Sequence, residues 1–451
     1  MTKRLQGKAL AAPSKSPERA GADASPCPVA RACGACQHIG MPYAEQLARK
    51  DEQVAELFAQ VAEASTLRPI LGMDDPYHYR NKVASPYAPG RKLPGPAKAA
   101  GAKDSRGKGG KGSRRADGPR REVLCGMYAA GTHRIVATDD CLIENRDAKR
   151  VILAVRDLMG RFGLEPYNED TGRGFLRHAV VRVGHTSNEM LVTLVTNGSA
   201  FPGSKAFCRE LVKRCPGVTT VVQNVNERQT NVILGEREQT LYGPGFILDK
   251  LCGLSFRISS RSFYQVNAVQ TEVLYQRAIE LAGFAGTECA IDAYCGTGTI
   301  GLVAAKHGAA QVIGVDSVAS AIRDARENAK HNGVENARFV AADAGDFMRQ
   351  QAAAGTRVDV LLMDPPRAGA SEEFLDAAAA LAPARIVYIS CNPVSQVRDL
   401  AVLRKHGYVV RAVQPVDMFP HTEHVETIAL IERKGRALGA PGRPEGGSNE
   451  G

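Results

Sequence analysis

The spacing of apolar positions changes character along the chain. From residue 43, Leu47, Val54, Leu57, Phe58 and Val61 recur at helical intervals, which predicts an amphipathic helix over 43–64. Between 122 and 262 the pattern becomes short β-rich runs (HAVVRVG, EMLVTLVT, TTVVQNVN, QTNVILG) divided by turn residues, with one helical stretch over roughly 203–215. This mixture predicts an α+β domain built on an antiparallel sheet. After residue 263 a helix over 268–282 precedes CAIDAYCGTGTIGLVAAKHGAAQVIGVD, which reads strand, Gly-rich loop, helix, strand. Strands follow at ARFVAAD, VDVLLMD, ARIVYIS, GYVVRAVQPVD and VETIALIER, most of them separated by helical runs. That alternation predicts an α/β fold with a mostly parallel, doubly wound sheet. The expected organisation is a disordered leader over 1–26, an α+β domain over 27–262, an α/β domain over 263–436 and a disordered tail over 437–451.

Composition supports two domains. A chain of 451 residues is too long for one ordinary core, and 44% hydrophobic residues suffice for globular packing. No apolar run approaches the roughly 18–20 residues of a membrane-spanning helix. The amino terminus lacks the apolar centre of a secretory signal. It is basic and acid-poor, which keeps a transit peptide open, but the expectation is a cytoplasmic protein. The net charge of +10 is concentrated: residues 91–121 hold eleven Lys or Arg against two Asp, and residues 1–26 add a further +3. The remainder is close to neutral. A basic, Gly-rich segment without aromatics cannot bury enough surface to fold, so 91–121 reads as a disordered loop insertion. It either holds a polyanion through phosphates or serves only solubility. Eleven cysteines in such a chain do not imply a disulfide framework.

Gly296, Gly298 and Gly301 form G-x-G-x-x-G between a strand and a helix, where the backbone can approach a ligand closely. Asp316, twenty residues beyond Gly296, ends the next strand and can hold a ribose diol. These features alone fit a dinucleotide equally well. Three others favour S-adenosylmethionine: Asp292 four residues before the first glycine, Asp343 at the end of the third strand, and the rigid Asp364-Pro365-Pro366-Arg367 turn after the fourth.

A methyl donor beside a cysteine suits methylation at C5 of uracil. That carbon is a poor nucleophile until a thiolate adds to C6 and makes an enolate. A base must afterwards take the C5 proton so that the thiolate can leave. Cys391 in YISCNP follows a strand and precedes a helix, at the sheet edge where ligands collect and where a helix amino terminus favours a thiolate. A lone cysteine there is more often a small buried hydrophobe. Its place between Asn392-Pro393 and the DPP strand argues otherwise. For the base, FPHTEHVE offers His421, Glu423, His424 and Glu426, and Glu426 is chosen. The same types could ligate a metal, but the segment enters a strand, which disfavours a compact tetrahedral site.

Together these motifs resemble the iron–sulfur-containing bacterial 23S rRNA (uracil-5-)-methyltransferase family, over roughly residues 27–433. The resemblance implies a class I S-adenosylmethionine methyltransferase fold with an amino-terminal RNA-binding domain that carries the cluster. FYQVN is similar to the family's donor-binding segment and implies Gln265 as a contact; DAYCGTGTIGL does the same for Tyr294, Gly296, Gly298 and Thr299. DPPR implies Asp364 near donor and target base, SCNP matches the nucleophile motif at Cys391, and HTEHVE matches the base motif at Glu426. YRNKV over Tyr79–Val83 also resembles a family segment. The family's C-x5-C-x2-C run is matched by Cys27, Cys33 and Cys36 in CPVARACGAC. With one distant cysteine these would hold a [4Fe–4S] cluster. The fourth ligand is Cys125 or Cys141, and DDCLIEN resembles the family's context, which favours Cys141. Zinc is the rival metal for four thiolates.

The chain departs from the family at Thr299, often Asn, and at Asp316, often Glu. Only 26 residues precede Cys27, so the small β-barrel that many members place there is not expected, and the 91–121 insertion is a candidate substitute for its RNA affinity. The expected partner is therefore RNA, 23S rRNA first, with no membrane and no obligate protein partner, and a monomer as the default. Two alternatives stand beside this reading. One is the same reaction on tRNA, whose enzymes resemble the catalytic half but lack the cluster cysteines. The other is a non-catalytic RNA-binding or chaperone protein, which needs neither Cys391 nor Glu426.

Overall fold

The computed structural model describes residues 25–93 and 121–435; the leader up to residue 24, the core of the 91–121 insertion and the 437–451 tail lie outside the described residues. Two seven-stranded sheets dominate. The first carries β1 (Lys82–Lys92), β2 (Arg121–Tyr128), β3 (Ile135–Ala137), β4 (Leu176–Val183), β5 (Met190–Thr196), β6 (Val218–Val225) and β7 (Arg237–Tyr242), in the order β3-β2-β1-β4-β5-β6-β7. The amino-terminal helices are α1 (Ala30–Cys33) and α2 (Tyr43–Phe58); α3 (Arg146–Phe162) and α4 (Ser204–Arg214) follow within this region.

Three features differ from the sequence expectation. Helix α3 was not anticipated among the β-rich runs. Yet Ala148, Val151, Ile152, Val155, Leu158 and Met159 are all buried at helical spacing, and the Asn145 side chain caps the first turn through the N–H groups of Asp147 and Ala148. The sheet is not wholly antiparallel: β5 and β6 run parallel because α4 crosses between them. The run QTNVILG forms no strand. The Asn226 amide donates to the carbonyls of Val232 (2.7 Å) and Ile233 (3.0 Å), which leaves this stretch a loop and makes β7 the edge. Helices α3 and α4 pack on one face of the sheet around Leu158, Val181, Leu194 and Phe207.

A hairpin of β8 (Phe246–Leu251) and β9 (Leu254–Ser259) follows, turned by Cys252 (φ 50°) and Gly253 (φ 75°), the two positive φ values that match strand twist in a two-residue turn. The second sheet contains β10 (Cys289–Ala293), β11 (Gln311–Asp316), β12 (Ala337–Ala341), β13 (Val360–Met363), β14 (Arg385–Ser390), β15 (Tyr408–Val416) and β16 (Glu426–Arg433), ordered β12-β11-β10-β13-β14-β16-β15. Strands β10 to β14 are mutually parallel, while β16 runs antiparallel to β14 and β15 to β16. The helices here are α5 (Ala268–Ala282), α6 (Thr299–Lys306), α7 (Ala319–His331), α8 (Ala344–Ala353), α9 (Glu372–Leu381) and α10 (Pro393–Lys405).

Strand alternation explains the continuous apolar runs. Ala290, Val312, Leu362 and Val387 point into one core with α5, α6 and the β8–β9 hairpin. Their neighbours Ile291, Ile313, Leu361 and Ile386 point into the other, with α8, α9 and α10. Helix α2 joins this second core through Val54 and Phe58, 1% and 0% exposed. It therefore belongs by packing to the half built on the second sheet, although by sequence it lies far before it. Among the described residues no helix is long and apolar enough to cross a membrane.

Candidate functional site

Parallel strands deliver their carboxyl ends to one edge, and the strand order sets the sequence of residues along it. Asp343 follows β12, Asp316 ends β11, the Tyr294–Gly298 loop follows β10, Asp364 follows β13 and Cys391 follows β14. Ser390 pairs with Thr427 across the antiparallel β14–β16 ladder, so Glu426, the first residue of β16, arrives at the same edge beside Cys391. A short motif after one strand and a carboxylate at the start of another are thus brought together by register alone.

The glycine loop is fixed by close approach. Gly298 has φ +80°, and a Cβ there would lie 2.8 Å from the Phe339 ring. A Cβ on Gly301 would meet Asp292 Oδ2 at 2.8 Å, the same oxygen that accepts a 2.8 Å hydrogen bond from the Gly301 N–H. Asp292 is 1% exposed, its Oδ1 has no protein partner, and burial pushes its pKa up to about 8. Asp316 accepts from the backbone N–H groups of Gly296 (3.0 Å) and Val318 (2.8 Å), which aims its carboxylate along the edge. Asp343 caps α8 through the Asp346 N–H at 3.0 Å, so it has a structural task as well. Tyr294 adopts φ 63°, unusual for a residue with a side chain, and sets its ring 5.1 Å from that of Phe374. Thr299 opens α6 with its hydroxyl 3.2 Å from the Tyr275 hydroxyl. Gln265 is half-buried in the segment before α5, its carbonyl accepting from the Asn81 amide at 3.1 Å.

The electrostatics around Cys391 differ from the expectation of a favoured thiolate. Burial, then the neighbouring Glu426 and Asp364 carboxylates, push the thiol up to about 11; the Arg367 guanidinium, which hydrogen-bonds the sulfur, opposes them. One cation and a helix amino terminus do not outweigh two carboxylates in a partly dehydrated cleft. Glu426 is 3% exposed, and burial with the Asp364 charge raises it to about 8. Burial raises Asp364 to about 7. Two carboxyls that hold protons near neutrality beside a thiol form an acid–base site.

Sequence reasoning passed over Arg367. Its guanidinium also lies 3.2 Å from His424 Nδ1, and its carbonyl accepts from Asn392 Nδ2 (2.8 Å) and Ser395 Oγ (3.2 Å), which locks the DPPR turn to the start of α10. The signal was present: a cation fixed by Pro-Pro directly after Asp364. Of the other base candidates, His424 contacts Arg367, His421 is buried against Gln46 and Tyr77, and Glu423 meets the Gln37 side chain through its backbone N–H.

Cys27, Cys33, Cys36 and Cys141 line one cavity of ≈ 270 Å³ together with Arg80 and Lys82. Burial, then Cys141, Cys33 and Cys27, push the Cys36 thiol up to about 12. The backbone N–H groups of Ile143 and Glu144 point at the Cys141 sulfur. Cys125, the other candidate, is 1% exposed in the core between β2 and α3 and lines no part of this cavity. Among the described residues no three His, Cys, Asp or Glu converge to the spacing that holds a single metal ion.

Comparison with known proteins agrees with this architecture. The tRNA (uracil-5-)-methyltransferase family model matches residues 248–434. An uncharacterized RNA methyltransferase of Halalkalibacterium halodurans is 40% identical over 430 residues, 95% of this chain and 87% of that protein. One from Staphylococcus aureus is 40% identical over 413 residues, 91% and 84% of the two chains. The Pyrococcus abyssi tRNA (uracil-54, C5)-methyltransferase, solved in complex with S-adenosyl-L-homocysteine, superposes with a TM-score of 0.67 at 25% identity, covering 90% of this chain and 86% of that one. With a class I methyltransferase sheet, a cysteine and a buried glutamate at its carboxyl edge and relatives alike over nearly their whole length, the chain belongs to the family of S-adenosylmethionine-dependent RNA (uracil-5-)-methyltransferases.

Proposed function

We propose that this enzyme methylates C5 of a uridine in 23S rRNA through a covalent bond between Cys391 and C6, with Glu426 as the base for the C5 proton. One observation carries the reading: the Cys391 thiol, the Glu426 carboxyl and Asp364 share one charge environment at the sheet edge next to the glycine loop. S-adenosylmethionine, when bound, supplies a methyl group activated by its sulfonium. The chain fits that ligand: a Cβ on Gly296 would meet nothing within 4 Å, so the loop is open there, Gly298 and Gly301 let the loop pack tightly on Phe339 and Asp292, and Asp292 keeps a buried, unpartnered oxygen. The proposed contacts are Gln265, Tyr294, Gly296, Gly298, Thr299, Asp316, Asp343 and Asp364.

Cys391 gives up its proton to water, helped by Arg367, and its sulfur adds to C6. Asp364, raised to about 7, is in part protonated at neutral pH and can donate a hydrogen bond to a uracil carbonyl as negative charge builds there. C5 takes the methyl group. Glu426 then accepts the C5 proton, the double bond re-forms and the Cys391 thiolate leaves. With its pKa raised to about 8, Glu426 is mostly protonated at neutral pH, so its ionised fraction, which grows as pH rises, is the form that takes the C5 proton.

Cys27, Cys33, Cys36 and Cys141 would hold a [4Fe–4S] cluster. Four thiols that line one cavity supply the donor set such a cluster requires. It would fasten the 27–36 segment to the loop before α3.

A second reading, tRNA as substrate, draws on the Pyrococcus abyssi relative and on the family description. One experiment decides both points. RNA made with 5-fluorouridine cannot lose fluorine as a proton, so the enzyme should stall as a covalent adduct that requires the donor and Cys391. Sequencing the trapped RNA names the substrate; absence of an adduct on rRNA and tRNA alike would overturn the mechanism.

A further inference from the structure

Glu426 is held at the sheet edge by a nine-residue loop, 417–425, between β15 and β16. Five consecutive carbonyls in this loop accept hydrogen bonds from outside it. Asp417 O takes the Gln270 amide (3.2 Å) and Met418 O the Asn267 amide (3.1 Å). Phe419 O takes Lys50 Nζ (3.3 Å), Pro420 O the Tyr79 hydroxyl (3.1 Å) and His421 O the His38 N–H (3.0 Å). Three of the five partners come from residues 38–79, hundreds of positions away in sequence.

Gln46 is the centre of this hold. It is fully buried, and its Oε1 accepts the backbone N–H of His421 at 2.9 Å. That N–H can only donate, so the amide orientation is settled: Nε2 donates to the carbonyls of Met41 (2.8 Å) and His38 (3.2 Å) and faces His421 Nδ1 at 3.1 Å. His421 has φ 68°, a conformation a side-chain-bearing residue keeps only when its surroundings enforce it. Its ring stacks on Tyr77 at 4.8 Å between centroids and 27° between planes. Beyond it the loop returns to the chemistry, since His424 contacts Arg367, which hydrogen-bonds the Cys391 sulfur.

We infer that Gln46 and Tyr77 are positioning residues for the base: by clamping His421 they fix where Glu426 stands over C5, and they act on the last step of catalysis. The inference rests on the proposed mechanism. Addition of the Cys391 sulfur to C6, and transfer of the methyl to C5 with departure of the donor as a neutral thioether, need Cys391, Arg367 and the donor site but not Glu426. Removal of the C5 proton by Glu426, with its electron pair restoring the C5–C6 double bond and expelling the thiolate, is the step a displaced base impairs.

The test uses full-length enzyme and ordinary uridine-containing RNA. Gln46→Leu should still transfer a methyl group in a single turnover but release product roughly 10- to 100-fold more slowly, the range for a misplaced general base. The consequence is a methylated, SDS-stable protein–RNA adduct on unmodified RNA, which the wild type does not accumulate. A folded Gln46→Leu that loses adduct and product in proportion would overturn the inference. If Gln46→Leu does not fold, Tyr77→Ala decides: Tyr77 is 38% exposed, so its loss spares the core. Adduct accumulation by this variant supports the inference and wild-type release overturns it. Wild-type enzyme on 5-fluorouridine RNA runs in parallel; failure there overturns the underlying mechanism instead.

Discussion

Glu426→Gln should stabilise the protein, and by an amount set by pH. The Glu426 carboxyl is 3% exposed, and burial together with Asp364 raises its pKa from 4.5 to about 8, against a smaller opposing pull from Arg367. The unfolded chain loses this proton near 4.5 while the folded chain keeps it until about 8. Between those values the native state binds more protons than the unfolded state, so stability falls as pH rises, by about 1.4 kcal/mol per pH unit. Below the window both states are protonated and nothing is lost. Above it the full cost is present, up to about 5 kcal/mol. A glutamine of the same shape carries no such cost. Wild type and variant should therefore melt together near pH 5 and separate as pH increases. At about 2–4 °C per kcal/mol the variant should lead by on the order of 10 °C at pH 8. Thermal melts followed by circular dichroism at pH 5, 6, 7 and 8, at one ionic strength, read this directly. A gap that does not change with pH, or a variant less stable than wild type at pH 8, would refute the claim that Glu426 is kept at a cost to the fold. The same variant should lose turnover, so stability and function would be seen to oppose each other at one atom group.

Arg367→Met removes the cation that lowers the Cys391 thiol, so alkylation of Cys391 by iodoacetamide at pH 8 should slow by about tenfold; an unchanged rate would mean that Arg367 does not govern the thiolate. Gly298→Ala places a Cβ 2.8 Å from Phe339 at φ +80°, and should cost about 1–3 kcal/mol in melts and weaken S-adenosylhomocysteine binding in calorimetry; intact binding would count against the glycine loop as the donor site. On the proposed cluster assignment, anaerobically purified protein should carry iron that Cys141→Ser loses and Cys125→Ser, in the β2–α3 core, keeps; the reverse pattern would reassign the fourth ligand, and iron-free wild type would overturn the cluster. Deleting residues 94–120 should weaken RNA binding most at low salt and flatten its salt dependence, as loss of phosphate contacts requires; equal affinity at low salt would leave the segment without an RNA-binding task.

The parts of the site that sequence made legible are those whose position follows from a strand end. Asp316, Asp364 and Cys391 each lie within one residue of a parallel strand's carboxyl terminus, so a correct reading of the strands already put them on one edge. Glu426 needed only the further step of an antiparallel strand returning to that edge. What stayed hidden is set by contacts between distant segments. The periodicity of residues 43–64 announced a helix but not that Val54 and Phe58 would join the second core beside α10, and that docking is what carries Gln46 to His421. The helix 146–162 was legible and overlooked, because its buried positions are interleaved with Arg and Asp in a region dominated by β-rich runs. The proton affinity of Cys391 was inferred from one local fact, a helix amino terminus, and came out opposite in sign. Glu426 from β16, Asp364 after β13 and Arg367 directly after the turn prolines each act on that sulfur, and burial exceeds them all. A motif points to the proposed nucleophile because its chemistry is local. The state of the nucleophile is a sum over elements that meet only after folding, so no window of sequence contains it.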